Sequence, residues 1–455
     1  MRRNSSESMD LYTGSIVKKM IIFSAPLMIT GILQLLYNAA DMVVVGRFAG
    51  KEALSAVGAT SVLINLFINI FIGLSLGASV VVSKYYGAND PEGVSETVHS
   101  SILLSICGGV IIMIAGWIFA KPILILMQTP ADVLDGAVLY TKIYFSGMPF
   151  NMVYNYGAAI LRSVGDTKRP LRFLTIAGIV NVVLNLIFVI VFKMGVAGVG
   201  LATIASQAVS MVLVVHCLTK SESIVQLDYK KLAFHKDKIL MLLKVGLPAG
   251  LQSCCFSLSN LLIQSSINIF GTVILAGNTA ATNVESFLFV SANAFNQTNI
   301  TFVSQNIGAK QYSRVRKCFC LSVVLGLACN FIISSIFILF NDQLVSLYSS
   351  EIEVTTVAAS RLAFISLFHF SCVCMHIFGG QLQAMGRSFI AMIVTLCGVC
   401  AFRVVWIFTF FQANKTIENL YLSYPVSWGL TAMIHLIFIL YFIRSFPKKD
   451  EPLME

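Results

Sequence analysis

Residues 83–88 read SKYYGA, and residues 304–309, 221 positions further along, read SQNIGA. Both fit the pattern S-x-x-x-G-A, and both close a long apolar run. The same offset carries Gly165 onto Gly386, and Pro26 matches Pro248 to within one residue. Matching landmarks at one long interval mark a chain that repeats itself. The halves are expected as two domains, residues 1–228 and residues 229–455.

Working outward from the repeat, the composition says what is repeated. The 455 residues are 57% hydrophobic and 11% charged, with a mean hydropathy of +0.83. A soluble domain carries about 25% charge, so this is an integral membrane protein. Roughly 20 apolar residues cross a bilayer as a helix, and twelve such segments can be placed. In the first half they are 16–46, 53–84, 95–120, 133–163, 169–193 and 197–219. In the second they are 239–268, 274–306, 316–341, 353–385, 388–412 and 419–445. The longest polar connection is 220–238, which leaves no room for a soluble domain. Few segments alternate as a membrane barrel would. The expected fold is an all-α membrane protein of twelve transmembrane helices. Two six-helix halves with an even helix count insert in the same sense, so the repeats are parallel. A cleft between such halves can open to either side by rocking.

The net charge of +10 could suggest nucleic acid. Most of the Lys and Arg, however, fall in alternate loops: Arg162, Lys168, Arg169 and Arg172, then Lys230, Lys231, Lys236 and Lys238, then Lys310, Arg314, Arg316 and Lys317. That is the positive-inside bias, and it places both termini in the cytoplasm. Lipid is the expected surroundings, without a nucleic-acid partner, and the chain is expected as a monomer. The polar start precedes a full-length span with no small-residue cleavage site, which reads as an uncleaved first helix. Eleven cysteines sit mostly in apolar segments. Cys397 and Cys400 form a lone CxxC inside a span, read as packing rather than as a metal or redox site. Asn414-Lys415-Thr416 is a glycosylation sequon, meaningful only in a secretory-pathway host.

Polar residues inside the spans carry the functional signal. An acid at a bilayer centre costs about 2.5–3.5 kcal/mol on the insertion scale, yet residues 34–41 read QLLYNAAD. Gln34, Tyr37, Asn38 and Asp41 fall at i, i+3, i+4 and i+7, one stripe of a helix. Other stripes follow: Ser61, Asn65 and Asn69 on the second helix, Asn151 and Asn155 on the fourth, Asn181 and Asn185 on the fifth, Thr203 and Gln207 on the sixth. Together they read as five helices around a polar chamber with Asp41 as its acid. For any single Asn the alternative is interhelical hydrogen bonding; for Asp41 it is a solvated helix end, with Arg47 and Lys51 just beyond.

The stretches PLMITGILQLLYNAADMVVVGRFAGKEALSAVG (26–58), LRSVGDTKRP (161–170), NVVLNLIFV (181–189) and GVAGVGLATIASQ (195–207) resemble the multidrug and toxic compound extrusion (MATE) family, in its DinF-like branch. The resemblance implies two six-helix lobes forming a V in a bacterial cytoplasmic membrane. The implied activity is ion-coupled export of organic cations. It makes Asp41 the cation or proton site, Asn181 and Thr203 its neutral oxygen donors and Tyr37 a cavity residue. Asn185 stands where some members carry a second aspartate. One carboxylate can hold a proton, or a sodium ion completed by uncharged oxygens, and both remain open.

The second half has a different set. Gln252 leads a stripe of Ser253, Ser257, Asn260 and Gln264, with no acid where other branches of the family carry one. The eighth span carries Glu285, Asn296 and Asn299, the tenth His369 and His376, and the eleventh Arg403. Glu285 is expected to pair with Arg403. The two histidines, two turns apart, suit a proton relay better than a metal. The 33 Phe, 14 Tyr and 17 Met could offer apolar and cation–π surface to bulky cations, although most must face lipid or a lobe core. No P-loop, nucleotide-binding glycine motif or HExxH is present. The expectation is an antiporter without cofactor, driven by H+ or Na+, and not an enzyme. A lipid-linked saccharide flippase is the alternative; its phosphate would call for several interior Lys or Arg, where Arg403 stands almost alone.

Overall fold

Helices follow one another with short connections along the whole of the computed structural model, which describes residues 9–221, 223–447 and 450. In the first half they are α1 (Ile16–Val44, continued by a π segment Val45–Ala49), α2 (Lys51–Gly87), α3 (Pro91–Leu126), α4 (Ala131–Ser146), α5 (Met148–Ser163), α6 (Lys168–Leu186, continued by a π segment Ile187–Val191) and α7 (Gly195–Thr219). The second half has α8 (Lys236–Ile267), α9 (Thr272–Gly308), α10 (Tyr312–Leu339), α11 (Asn341–Ser346) and α12 (Ile352–Ala384). It closes with α13 (Ser388–Thr395), a π segment Leu396–Ala401, α14 (Phe402–Phe408), α15 (Phe410–Ala413) and α16 (Ile417–Arg444). Among the described residues eleven helices are long and apolar enough to cross a membrane. The twelfth expected span, 133–163, is the pair α4 and α5.

The duplication reaches the backbone. Helices α2 and α9 begin and end 221 residues apart. Gly50 and Gly271 before them take φ of 88° and 94°, and Gly165 and Gly386 take 88° and 77°. These are left-handed positions that glycine occupies without a Cβ clash. Asn89 and Lys310, again equivalent, both sit at φ 54°.

One departure from the repeat matters. The second half runs α12 unbroken through Phe368-His369-Phe370, while the first half stops α4 and restarts α5 at Gly147-Met148-Pro149. Pro149 has no N–H to extend the helix. A Cβ on Gly147 would lie 2.5 Å from Gln207 Oε1, and one on Gly109 of α3 would lie 2.5 Å from Pro149 Cα. The break is therefore filled from α3 and α7.

Packing divides the chain into two compact units, Met1–Asp10 with Ile29–Leu247, and Leu11–Met28 with Pro248–Glu455. This differs from a single cut after residue 228. Pro26 and Pro248 lie at the change-over points, where proline interrupts the helix ladder. In the second unit the start of α1 is buried against α9 and α10. Phe23 meets Phe302 edge-on at 5.7 Å, and Leu11 N donates to Gln305 Oε1 at 3.0 Å. In the first unit the start of α8 packs on α2, where a Cβ on Gly77 would fall 2.3 Å from Leu242 O. Lys238 Nζ there donates to Tyr85 OH at 2.8 Å. The RSVGDTKRP tract is a turn: Asp166 Oδ1 accepts from Lys168 N and Arg169 N, capping the start of α6.

Candidate ion-coupling site

Within the first unit α1 and α6 meet through two registers. Gly178 of α6 has no side chain because the Tyr37 ring occupies the space: a Cβ there would fall 2.0 Å from Tyr37 Cζ. Tyr37 OH donates to Thr175 O at 3.4 Å. One turn further out, Asn185 Nδ2 donates to Asp41 Oδ1 at 2.6 Å, and lies 3.3 Å from Asn181 Oδ1. Asn185 is 1% exposed and Asn181 6%, whereas Asp41 is half-buried. Residues 178, 181 and 185 are thus one face of α6, turned to Tyr37 and Asp41. Both helices then widen into their π segments, Val45–Ala49 and Ile187–Val191, immediately after the paired residues. Such segments recur at functional sites.

Two residues absent from the sequence reading join this site. Tyr140 and Tyr144 of α4 are buried and within electrostatic reach of Asp41, and the side chain of Gln207 lies against Tyr144. Gln207 thereby touches both the Asp41 neighbourhood and the Gly147 break. The tyrosines lie one turn apart in the fourth span, a spacing that could have drawn attention to them.

Other expected members stand elsewhere. Gln34 and Asn38 are exposed on α1, so only half of the QLLYNAAD stripe faces α6. Thr203 is half-buried and bonds Val199 O in its own helix at 3.0 Å. Asn155 Nδ2 donates to Asn151 O and Oδ1 at 2.9 and 2.7 Å, so that pair satisfies itself along α5. Asn65 is exposed and Asn69 half-buried on α2.

Known sequences and structures bear on this geometry. The MatE family model matches residues 26–187 and again residues 248–409. The chain belongs to the MatE family. The two matched stretches are offset by 222 residues, in line with Pro26 and Pro248. Among curated MatE relatives, the probable multidrug resistance protein YoeA of Bacillus subtilis (strain 168) is 26% identical over 92% of each chain. The probable multidrug resistance protein NorM of Thermotoga maritima is 26% identical over 85% of this chain and 84% of its own. A solved outward-facing multidrug resistance MATE transporter of the MOP superfamily aligns with a TM-score of 0.90 at 21% identity. That alignment covers 98% of this chain and 100% of the other, and shows the fold. The MatE chain is accordingly a multi-pass membrane transporter of the multidrug efflux type, and not an enzyme.

The second unit of this MatE chain corrects one expectation. Glu285 does not pair with Arg403. Its Oε1 and Oε2 accept from Arg361 Nε and Nη2 at 2.8 and 3.2 Å, and Arg361 Nη1 donates to Asn278 Oδ1 at 2.6 Å. Tyr421 OH also donates to Asn278, at 2.9 Å. Arg361 lies inside the tenth span, where it could have been noticed. A guanidinium takes a carboxylate with two parallel bonds only from a suitably placed helix, and α12, packed along α9, supplies that place. Arg403 instead donates to Ser427, Asn260 and Ser259. Gln252 joins Thr395 Oγ1 to Gln383 Nε2, each at 2.9 Å, and Gln264 is half-buried. Asn296 packs against Gly380, where a Cβ would meet its Oδ1, and Asn299 donates to Gln381 Oε1 at 3.0 Å. His369 lies 2.6 Å from Asn330 Oδ1. Among the described residues no group of three His, Cys, Asp or Glu could hold a metal ion. Cys397 and Cys400 are both free thiols.

Proposed function

We propose that this chain is an antiporter exporting small organic cations from the cytoplasm in exchange for H+ or Na+, with Asp41 as the coupling carboxylate. The observation that carries the reading is the Asp41–Asn185 pair. Asn185 offers its amide N–H to the carboxylate, while its own Oδ1 is buried without a donor. An amide can turn end for end. With Asp41 ionised, the N–H faces it. With Asp41 protonated or holding sodium, the amide oxygen can turn to accept the proton or ligate the ion beside Asn181 Oδ1. One side chain can thus serve both states of a coupling cycle. Tyr37, seated on Gly178, and the pair Tyr140 and Tyr144 would hold the carboxylate in place, and Gln207 would pass its state to the Gly147 break.

Around this centre Gln34, Asn38, Asn65, Asn69, Asn151, Asn155 and Thr203 are read as a polar lining for cargo. In the second half, residues 229–455, Gln252, Gln264, Glu285 and Asn296 supply fixed polar groups. The loop charges support a reading with both termini in the cytoplasm, and the chain is taken to work as a monomer in lipid. No nucleotide motif accompanies the site, so energy would come from the ion gradient, about 2.3 kcal/mol per charge per 100 mV plus the chemical term.

The test is counterflow of a fluorescent organic cation in proteoliposomes under separate proton and sodium gradients, comparing wild type with Asp41→Asn. The variant keeps shape and hydrogen bonding but cannot titrate. We expect it to fold and bind cargo, yet to lose uphill export. Wild-type export by Asp41→Asn under either gradient would return Asp41 to the status of a solvated helix end.

A further inference from the structure

Among the described residues of the second unit, Arg403 is a fully buried cation whose surroundings leave it short of negative charge. It is 0% exposed. Its Nε donates to Ser427 Oγ at 3.0 Å, and its Nη1 to Asn260 Oδ1 at 2.6 Å and Ser259 Oγ at 3.4 Å. All three acceptors are neutral, and Nη2 is buried with no acceptor at all. The guanidinium carbon lies 4.5 Å from the Tyr424 ring centroid, 5.9 Å from Trp428 and 6.0 Å from Phe256. Ring faces offset part of the charge but do not replace an anion. The carboxylate of Glu285 is already held through both oxygens by Arg361. An arginine cannot escape by losing its proton, and a buried charge calls for a partner.

The orphan donor has company. Trp428 is 1% exposed, and its Nε1–H is likewise buried without an acceptor. His369 lies 6.0 Å from the Trp428 ring, and His376 lies 5.6 Å from Phe256. Each histidine has a buried Nε2 with no partner. Buried polar atoms are almost always paired, so several orphans around one set of aromatic rings point to a missing guest. Two of them, Arg403 Nη2 and Trp428 Nε1, can only donate, which sets the guest's chemistry.

We propose that the second unit carries a buried anion-accepting site, built on Arg403 Nη2 and Trp428 Nε1 and flanked by His369 and His376. It takes one monovalent anionic group, either a free halide-sized ion or the carboxylate of a transported molecule. A dianion would overcompensate the single guanidinium, and a cation is excluded by it. The site shares no residue with the Asp41 centre, and its free-ion form stands whether or not Asp41 couples export.

The experiment is thermal unfolding of the full-length protein in detergent at constant ionic strength, with chloride or benzoate replacing bulky HEPES anion. A ligand that binds only the folded state raises Tm in a saturable way. Wild type is expected to show that rise. Arg403→Gln should abolish it. Trp428→Phe, which keeps the ring but removes the N–H, should move half-saturation up about tenfold, as loss of one hydrogen bond to a charged group implies. Saturation by chloride identifies a resident ion, and saturation by benzoate alone identifies a cargo carboxylate; each supports the site. If Arg403→Gln does not fold, Trp428→Phe carries the test by itself. No saturable rise in wild type, or an equal rise in Arg403→Gln or an unmoved half-saturation in Trp428→Phe, overturns the proposal.

Discussion

Glu285→Gln should destabilise the protein more than any other single polar substitution in the second unit, and the partner responsible should be Arg361. The carboxylate accepts two bonds from Arg361, at 2.8 and 3.2 Å, in a place where the two residues are 4% and 2% exposed. Removing the charge leaves a buried guanidinium with neutral acceptors only, the new amide oxygen and Asn278 Oδ1. Breaking one side of such a pair costs roughly 3–5 kcal/mol. Replacing both partners with apolar groups of similar volume is often neutral. Glu285→Leu with Arg361→Met should therefore recover most of what either change loses alone, a coupling of several kcal/mol in a double-mutant cycle. The same cycle between Glu285 and Arg403 should be additive to within about 0.5 kcal/mol, since they share no contact. Urea or thermal unfolding in detergent, read by tryptophan fluorescence, measures all four corners. Additive losses for Glu285 with Arg361, or strong coupling of Glu285 with Arg403, would refute the assignment of partners.

Three further outcomes follow from the α1–α6 and α2–α8 contacts. Asn185→Asp places a second carboxylate against Asp41 at the position of the present 2.6 Å bond, so transport should become more sodium-dependent; unchanged ion dependence would separate Asn185 from coupling. Gly77→Ala drives a methyl to 2.3 Å from the Leu242 backbone oxygen and should cost about 1–3 kcal/mol or more of stability. Gly178→Ala meets instead the end of the Tyr37 ring, which can swing away. It should leave Tm nearly unchanged while impairing export, and melting curves set beside transport rates distinguish the two.

The repeat and the spans were legible because they rest on quantities a sequence states outright: apolar length, loop charge and the spacing of Gly and Pro. Pro26 and Pro248 even mark where each first helix changes packing partners. The α4–α5 break was less legible. Gly147 and Pro149 are both visible, but glycine and proline are tolerated inside membrane helices, and only the side chain of Gln207 in the gap makes the interruption plain. Stripes of Asn gave faces without partners. Asn181 and Asn185 turn to Asp41, whereas Asn151 and Asn155 bond one another, and nothing in i, i+4 spacing tells these apart. Glu285 was matched to Arg403 because sequence order carries no distance between α9, α12 and α14. Arg361, eight residues inside its span at the outset, was the better partner in plain view.

The repeat frames the two units alike and fills them differently. Asp41 has its counterpart at Leu262 or Ile263, according to which landmark sets the offset; Asn181 and Asn185 correspond to Phe402 and Trp406, and Tyr140 to Arg361. Ile263 and Trp406 are both in the apolar core of the second unit, so the acid and its amide have been replaced by packing. Where the first unit keeps a carboxylate beside neutral tyrosines, the second keeps arginines among rings. The interruption between α4 and α5 exists only in the unit with the acid, and Gln207 reaches from that interruption to Tyr144. A continuous α12 gives the arginine-bearing unit no such joint. If Asp41 is the coupling carboxylate, as proposed, its change of charge would reach a backbone break by a short path: from the carboxylate to the α4 tyrosines, from Tyr144 to Gln207, and from Gln207 to Gly147. In the second unit Glu285 is held by Arg361 and Arg403 meets neutral acceptors, so under the proposed coupling role the change of charge falls in the first unit.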